Sequence, residues 1–252
     1  MDNIQLAPNT QNTASGKQFA PCGREVQNNR EAVYEFSIGL RFTHWLRAAC
    51  IVFLVVSGFY LSYVFIAPRP SDEPVNFLNA FWRSSHQIAG FVLIGCMIFK
   101  TYLFLFDKQS KLERQSVKDS VKLKVWLAQL KYYLNLGEHP HLSGNYNPLQ
   151  FVAYFFFYVV LFGISLTGLI LYANVYHEGL GGFIAPLMKW CEASIFNGLG
   201  NVRVVHHICM WAIILFVVGH VYMVIYNAIK GKDGAVDAVV SGYKYIKDGV
   251  RT

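Results

Sequence analysis

Four long apolar segments constrain the fold of this chain more than any other feature of its sequence. They cover residues 38–66, 81–106, 148–172 and 204–229. A helix rises about 1.5 Å per residue, so about 20 apolar residues cross the hydrocarbon core of a bilayer, and every segment is long enough. The whole chain is 54% hydrophobic, whereas soluble domains are about 45–50% apolar. The sequence therefore predicts an all-α integral membrane four-helix bundle with short interfacial helices.

Basic residues are concentrated in three stretches that flank these segments. The formal net charge is +7, and most lysines and arginines lie before residue 42, between residues 101 and 147, or after residue 229. By the positive-inside rule these stretches face the cytoplasm. The sequence thus predicts a multi-pass protein of the bacterial cytoplasmic (inner) membrane, with both termini cytoplasmic. Charge scattered along membrane-flanking loops, rather than gathered in one patch, argues against nucleic-acid binding.

Three regions are expected along the chain. Residues 1–36 are polar and lack the apolar core of a signal peptide, which predicts a flexible cytoplasmic tail. Residues 37–230 form the four-span transmembrane domain. Residues 231–252 are expected to form a cytoplasmic surface helix, since apolar residues recur there every three to four positions. A basic amphipathic helix is expected on the membrane surface at residues 118–136, and part of residues 173–203 is expected to lie in the interface.

Two histidines share the fourth apolar segment. His206 and His220 lie fourteen residues apart, about 21 Å along a helix and on nearly the same face at about 3.6 residues per turn. A polar ring in hydrocarbon is costly and needs a partner, and neutral imidazole is a common metal ligand. Two haems stacked across the membrane, each taking one of these rings, would explain the spacing.

Two further histidines match the depths of these rings. His44 lies near the cytoplasmic end of the first segment, as His220 does in the fourth. His86 lies near the external end of the second segment, as His206 does in the fourth. Each of these pairs can supply the two axial nitrogens of a six-coordinate haem between helices. Because depth was assigned from charge and length alone, the pairing is independent support for two haem-iron sites.

Other interpretations of these histidines compete with haem. A single intramembrane histidine often hydrogen bonds a neighbouring helix, and a histidine-lined transporter without haem would use such rings as a proton relay. A di-metal site would need its ligands at one depth and usually carboxylates, which the four segments lack. Four histidines in depth-matched pairs favour haem, and its absorption bands would separate it from a transporter.

The remaining histidines and the cysteines fit cofactor ligation less well. His207 leaves the helix more than about 100° from the face of His220, so it is expected to be an interfacial residue or a partner of a haem propionate or a neighbouring subunit. None of the five cysteines forms a C-x-x-C or C-x-x-C-H motif, which excludes covalent c-type haem and zinc-ribbon or iron–sulfur spacing. The histidines in loops, expected to be solvated, are His139, His141 and His177.

Motifs in all four segments resemble those of a known family. They are FTHWLRA in the first, HQIAGF in the second, NPLQFVAYFFFYVVLFGISLTGLILY in the third, and HHICMWAIILFVVGHVYMV with a trailing SGYKYIK in and after the fourth. Over about residues 36–247 the chain resembles the di-haem, quinone-reducing cytochrome b subunit of membrane-bound nickel–iron uptake hydrogenases. The last motif is the most specific.

The resemblance implies a respiratory electron-transfer subunit that does not itself split hydrogen. Its four intramembrane histidines would bind the iron of two haem b groups. Its partners would be the iron–sulfur small subunit and nickel–iron large subunit of a hydrogenase, and its acceptor menaquinone or another quinone. Asn147, Tyr222 and Met223 match positions that line the quinone pocket near the cytoplasmic haem, although Asn147 is also a good N-cap before Pro148.

The resemblance leaves the electron donor open. A His-x13-His spacing also suits the cytochrome b subunits of formate dehydrogenase and of other quinone-linked reductases. The protein that co-purifies with the chain would decide between these donors.

Overall fold

The computed structural model describes six stretches of the chain, namely residues 30–34, 36–63, 77–108, 110–133, 148–230 and 235–247. Helices dominate these stretches. In chain order they are α1 (Ile38–Tyr63), α2 (Leu78–Phe106), α3 (Lys111–Ser120), α4 (Leu123–Tyr133), α5 (Pro148–Ala173), α6 (Gly179–Cys191), α7 (Leu199–Lys230) and α8 (Ala235–Ser241).

Four of these helices are long and apolar enough to cross a membrane, namely α1, α2, α5 and α7. Between 6% and 22% of the residues in their most apolar stretches are buried inside the protein. Most of their apolar surface therefore faces outward, where lipid rather than protein covers it. This confirms the predicted all-α membrane bundle.

The four long helices pack mainly as two antiparallel pairs. Helix α1 lies along α2, and α5 lies along α7, with α2 also touching α5. Side chains from all four helices meet in one apolar cluster, which holds the pairs together: Ile51, Leu93, Phe157, Leu161 and Ile213.

The two ends of the described chain meet at one end of the bundle. Strand β1 (Arg30–Tyr34) pairs antiparallel with strand β2 (Tyr243–Lys247). The indole of Trp45 donates a hydrogen bond to the Val239 carbonyl at 3.2 Å. We call this end, where α1 begins and α7 finishes, the terminal end, and the opposite end the distal end.

The strands modify what was expected outside the bundle. Helix α8 covers only part of the surface helix predicted for residues 231–252, because Gly242 adopts φ +91° and ends it. The alternating sequence YKYIK then favours a strand, as aromatic and β-branched residues do. The tail predicted for residues 1–36 includes β1, and residues 1–29 lie outside the described part of the chain.

Short helices connect the spans at both ends. Helix α4 forms within the amphipathic helix predicted for residues 118–136, whose first residues belong to α3 and whose last three lie outside the described part of the chain. Both α3 and α4 pack against α5 at the terminal end. The Arg114 guanidinium donates to the Phe104 carbonyl in the last turn of α2, which fixes α3 to that helix. At the distal end, α6 and a π-helical turn (Glu192–Phe196) occupy the connection in which an interfacial piece was expected, and the Asn174 amide donates to Glu192 Oε2 at 2.8 Å.

Candidate functional site

The four intramembrane histidines fall into two groups at different depths. His44 on α1 and His220 on α7, which we call the terminal pair, face each other near the terminal end. His86 on α2 and His206 on α7, the distal pair, lie near the distal end and within electrostatic range of each other. The structure thus brings together the residues that the sequence predicted to pair.

The spacing of the terminal pair matches that of two rings bound to one metal. The ring centres of His44 and His220 are 6.4 Å apart. A metal–imidazole nitrogen bond is about 2 Å long, and the ring centre lies about 1 Å further, so two axial rings have centres about 6 Å apart. The arrangement therefore fits a single haem iron between these helices.

Aromatic side chains set the ring planes of the terminal pair. Phe216 lies nearly parallel to His220, with centres 5.9 Å apart and planes 8° apart, and itself stacks on Phe157 at 4.0 Å. Trp45 packs edge-on against His44 at 5.3 Å. These packing contacts restrict rotation of the two rings.

One ring nitrogen of the terminal pair makes no hydrogen bond to the described part of the chain. The Nδ1 atom of His44 is buried and has no hydrogen-bond partner among the described residues. Burying a polar atom without a partner costs free energy. The distal histidines differ in this respect, since each of their Nδ1 atoms has a hydroxyl partner.

A cation lies beside the terminal pair. Arg47, on the turn after His44, donates to the Tyr158 hydroxyl at 2.5 Å, and its guanidinium carbon lies 5.5 Å above the Tyr158 ring. Its charge acts on both His44 and His220. Because the four spans contain no Asp or Glu, a haem propionate is a suitable counter-ion for Arg47.

Hydroxyl groups hold the rings of the distal pair. The Nδ1 atom of His86 lies 2.8 Å from Ser57 Oγ, and that hydroxyl donates to the Phe53 carbonyl at 2.8 Å. The Nδ1 atom of His206 lies 2.9 Å from Thr167 Oγ1, which donates to the Gly163 carbonyl at 2.8 Å.

These hydroxyls determine which ring nitrogen is left for a metal. A hydroxyl has one hydrogen to donate, and in each case a carbonyl of the same helix lies within hydrogen-bond distance. With the hydrogen on that carbonyl, the oxygen accepts from Nδ1–H of the ring. Nε2 then carries the free lone pair, which is the form that binds a metal.

The structure also tests the di-metal alternative. Within the described residues, no group of three or more His, Cys, Asp or Glu side chains could hold a metal ion. A site of two histidines, such as each pair forms, is instead the donor set of a haem iron.

Comparison with known proteins agrees with this geometry. The family model described as prokaryotic cytochrome b561 matches residues 35–242. The chain belongs to that family. As a b-type cytochrome it binds haem b, which the histidine pairs fit.

Relatives of this cytochrome b561 extend over nearly its whole length. A protein of Azotobacter vinelandii is 30% identical over 90% of this chain and 94% of its own length, and one of Cupriavidus necator is 29% identical over 86% and 89%. Both are named "Probable Ni/Fe-hydrogenase B-type cytochrome subunit". An Escherichia coli K12 protein, named as that subunit of Ni/Fe-hydrogenase 1, is 27% identical over 90% and 96%. These matches confirm the resemblance seen in the sequence.

The other residues that were predicted from the sequence lie in surroundings different from those of the four paired histidines. His207 is exposed, and its Nε2 lies 3.1 Å from Ser62 Oγ. Tyr222 is 64% exposed on the outside of α7, whereas Met223 is half-buried. His177 is exposed in the connection before α6. Three predicted residues lie outside the described part of the chain: His139, His141 and Asn147.

Several functional residues were not predicted. Ser57, Thr167 and Tyr158 contact the histidines or Arg47, yet each reads in the sequence as an ordinary residue of an apolar helix. The sequence did contain a signal for Ser57 and Thr167, because in each of two spans a hydroxyl residue is followed by glycine, SG at 57–58 and TG at 167–168.

Proposed function

We propose that this cytochrome b561 binds two haem b groups, one at the terminal pair and one at the distal pair. The 6.4 Å separation of the His44 and His220 ring centres is the observation that carries the proposal. The hydroxyl-held tautomers of His86 and His206 support a second site of the same kind. When bound, haem b supplies one-electron oxidation and reduction.

The proposed orientation places the terminal end in the cytoplasm of a bacterium and the distal end in the periplasm. The positive-inside rule supports it. The connection through α3 and α4, at the terminal end, carries Lys111, Arg114, Lys122, Lys124 and Lys131, whereas the distal connection through α6 carries Lys189. With both termini cytoplasmic, the distal pair lies toward the periplasm.

The proposed partner is a periplasmic nickel–iron hydrogenase. The names of the relatives support this. Hydrogen would be split on the nickel–iron large subunit, and electrons would arrive through the iron–sulfur small subunit at the distal end. The chain anchors this complex in the inner membrane and holds one redox site near each membrane face, so electrons cross the bilayer along it.

The proposed electron acceptor is a quinone, such as menaquinone, bound at the terminal end. Asn147, Tyr222 and Met223 are the candidate residues for its pocket. Tyr222 and Met223 lie two and three residues after His220 on α7, so a quinone that contacts them lies near the terminal pair. Protons for quinone reduction would then come from the cytoplasm, while hydrogen oxidation releases protons in the periplasm.

The proposal is tested on the complex purified from native membranes in mild detergent. We expect Soret and α bands of haem b, reduction of the haem by hydrogen gas, and re-oxidation by a menaquinone analogue. Reduction by formate and not by hydrogen would replace the hydrogenase with a formate dehydrogenase. A folded but colourless protein would contradict haem binding and leave a histidine-lined transporter.

A further inference from the structure

Two hydroxyl–glycine dipeptides occupy equivalent positions beside the distal histidines. Ser57-Gly58 on α1 faces His86, and Thr167-Gly168 on α5 faces His206. The two dipeptides lie on different helices and serve rings on different helices. We call them the hydroxyl–glycine cradles.

The hydroxyl of each cradle has a fixed direction. Ser57 Oγ lies 2.8 Å from the Phe53 carbonyl, and Thr167 Oγ1 lies 2.8 Å from the Gly163 carbonyl, in both cases four residues back on the same helix. Ser57 and Thr167 are fully buried. The carbonyl can only accept a hydrogen bond, so a hydroxyl that donates to it keeps its oxygen as an acceptor for the imidazole, and this is the arrangement on which the inference is built.

The glycine of each cradle lets the ring come close to the helix. A Cβ built on Gly58 would lie 3.5 Å from Cε1 of His86, and one built on Gly168 would lie 3.5 Å from Cε1 of His206. A single methyl group therefore just reaches the ring, and a larger side chain that extends toward it would push it away. The hydroxyl meets Nδ1 and the glycine lies beside the adjacent Cε1, so both act on the same part of the same ring.

We infer that the two cradles position the distal histidines and lower the reduction potential of the haem held there relative to the haem of the terminal pair. The inference rests on the proposed function, because it assumes a haem at each pair. A hydrogen bond from Nδ1–H to an acceptor raises the basicity of the ligating nitrogen. A more basic ligand stabilises oxidised iron, so the potential falls.

The terminal pair shows what a ring without a cradle looks like. His44 Nδ1 has no hydrogen-bond partner among the described residues. The nearby Arg47 guanidinium instead supplies positive charge, which disfavours the oxidised, more positive iron. The two environments thus act in opposite directions on the two haems.

The test is a redox titration of the purified complex, followed by optical spectra and by electron paramagnetic resonance of the low-spin haems. The two hydroxyls are removed separately, in Ser57→Ala and in Thr167→Val. Ser57→Thr and Thr167→Ser are the matched controls, since each retains a hydroxyl on the same helix.

Each removal is expected to raise the potential of the distal haem. We expect a shift on the order of a tenfold change in the ratio of oxidised to reduced haem, which equals about 59 mV for one electron. The low-spin signal of the distal haem should also shift, because its ring is free to rotate. The terminal haem, unchanged in potential and signal, shows that the variant is folded.

The outcomes separate this inference from the proposed function. A wild-type complex with fewer than two haems would contradict the proposed function itself. The inference would be overturned if the wild type holds two haems and their reduction potentials either stay the same or shift equally in Ser57→Ala and Thr167→Val. Loss of the distal haem alone, with its return in Ser57→Thr or Thr167→Ser, would support the inference that the cradles position the distal histidines. If the variant of one cradle does not assemble, the variants of the other cradle are enough for the test.

Discussion

The terminal pair and the distal pair each bring two imidazoles together, but different kinds of side chain hold the rings in place. Aromatic rings pack against the terminal pair, with Phe216 parallel to His220 and Arg47 nearby. Buried hydroxyls hold the distal pair, through Ser57 and Thr167. One bundle therefore offers two sites that have identical ligands and different electrostatics.

With the two proposed haems in place, this difference would set the direction in which electrons move. A positive guanidinium would favour the reduced form of a haem at the terminal pair, whereas hydrogen-bond acceptors on Nδ1–H would favour the oxidised form of a haem at the distal pair. Electrons that enter at the distal end would then move to a higher potential at the terminal end. A donor in the periplasm and a quinone near the cytoplasm fit that order.

The largest expected effect is the loss of one site. His206→Ala should remove the distal haem and leave the terminal haem, because His44 and His220 are untouched. Haem content per chain is measured in the detergent-purified protein. His207→Ala is the control, since His207 is exposed and bonded to Ser62, and it should keep both haems. Two haems in His206→Ala would mean that another group is the distal ligand.

The next effect concerns the quinone, which only the terminal end should bind. Asn147→Ala should slow the re-oxidation of dithionite-reduced haem by a quinone roughly fivefold, the equivalent of one hydrogen bond of about 1 kcal/mol. Both haems should remain reducible. Asn201→Ala, at the distal end, is the control and should leave the rate unchanged. Equal rates for wild type and Asn147→Ala would leave Asn147 as a helix cap only.

The third effect separates the charges of the two sites. Arg47→Met should lower the potential of the terminal haem by roughly 50 mV, because a nearby positive charge that favours the reduced form is removed. The distal haem should not move. Arg47→Lys retains the charge and should restore most of the potential in the same titration. A shift confined to the distal haem would contradict the assignment of Arg47 to the terminal site.

The smallest effect concerns the stacked ring of the terminal pair. Phe216→Leu removes an aromatic contact with His220, and such contacts contribute roughly 0.5–1.5 kcal/mol beyond burial. We expect a changed low-spin signal of the terminal haem and a small change in its potential. Phe162→Leu is the control, because Phe162 is 64% exposed on the lipid-facing side. Identical spectra for Phe216→Leu and wild type would show that packing does not set the plane of His220.

Much of the fold was predictable because the bilayer imposes a simple rule on sequence. Spans need length and apolarity, and the predicted segments overlap α1, α2, α5 and α7 within a few residues at most ends. The pairing of β1 with β2 was not predictable, since it joins segments more than 200 residues apart. The C-terminal helix was predicted too long because the left-handed conformation of Gly242 was not recognised.

The depth-matched pairing of the histidines was predictable from the sequence, and the residues around them were not. Histidines in hydrocarbon are conspicuous, and their depths follow from the ends of the spans. Ser57 and Thr167 are inconspicuous, because a hydroxyl in an apolar helix usually bonds only its own backbone. Their second role depends on how α1 meets α2 and how α5 meets α7, which sequence periodicity does not determine.

The central claim is that four imidazoles bind two haems, two rings to each iron. Its most direct test is a count of haem b per polypeptide in the purified protein, combined with electron paramagnetic resonance of the oxidised form. The account predicts two haems per chain, both low-spin and both with two histidine ligands. One haem per chain, or a haem with a ligand other than histidine, would contradict it.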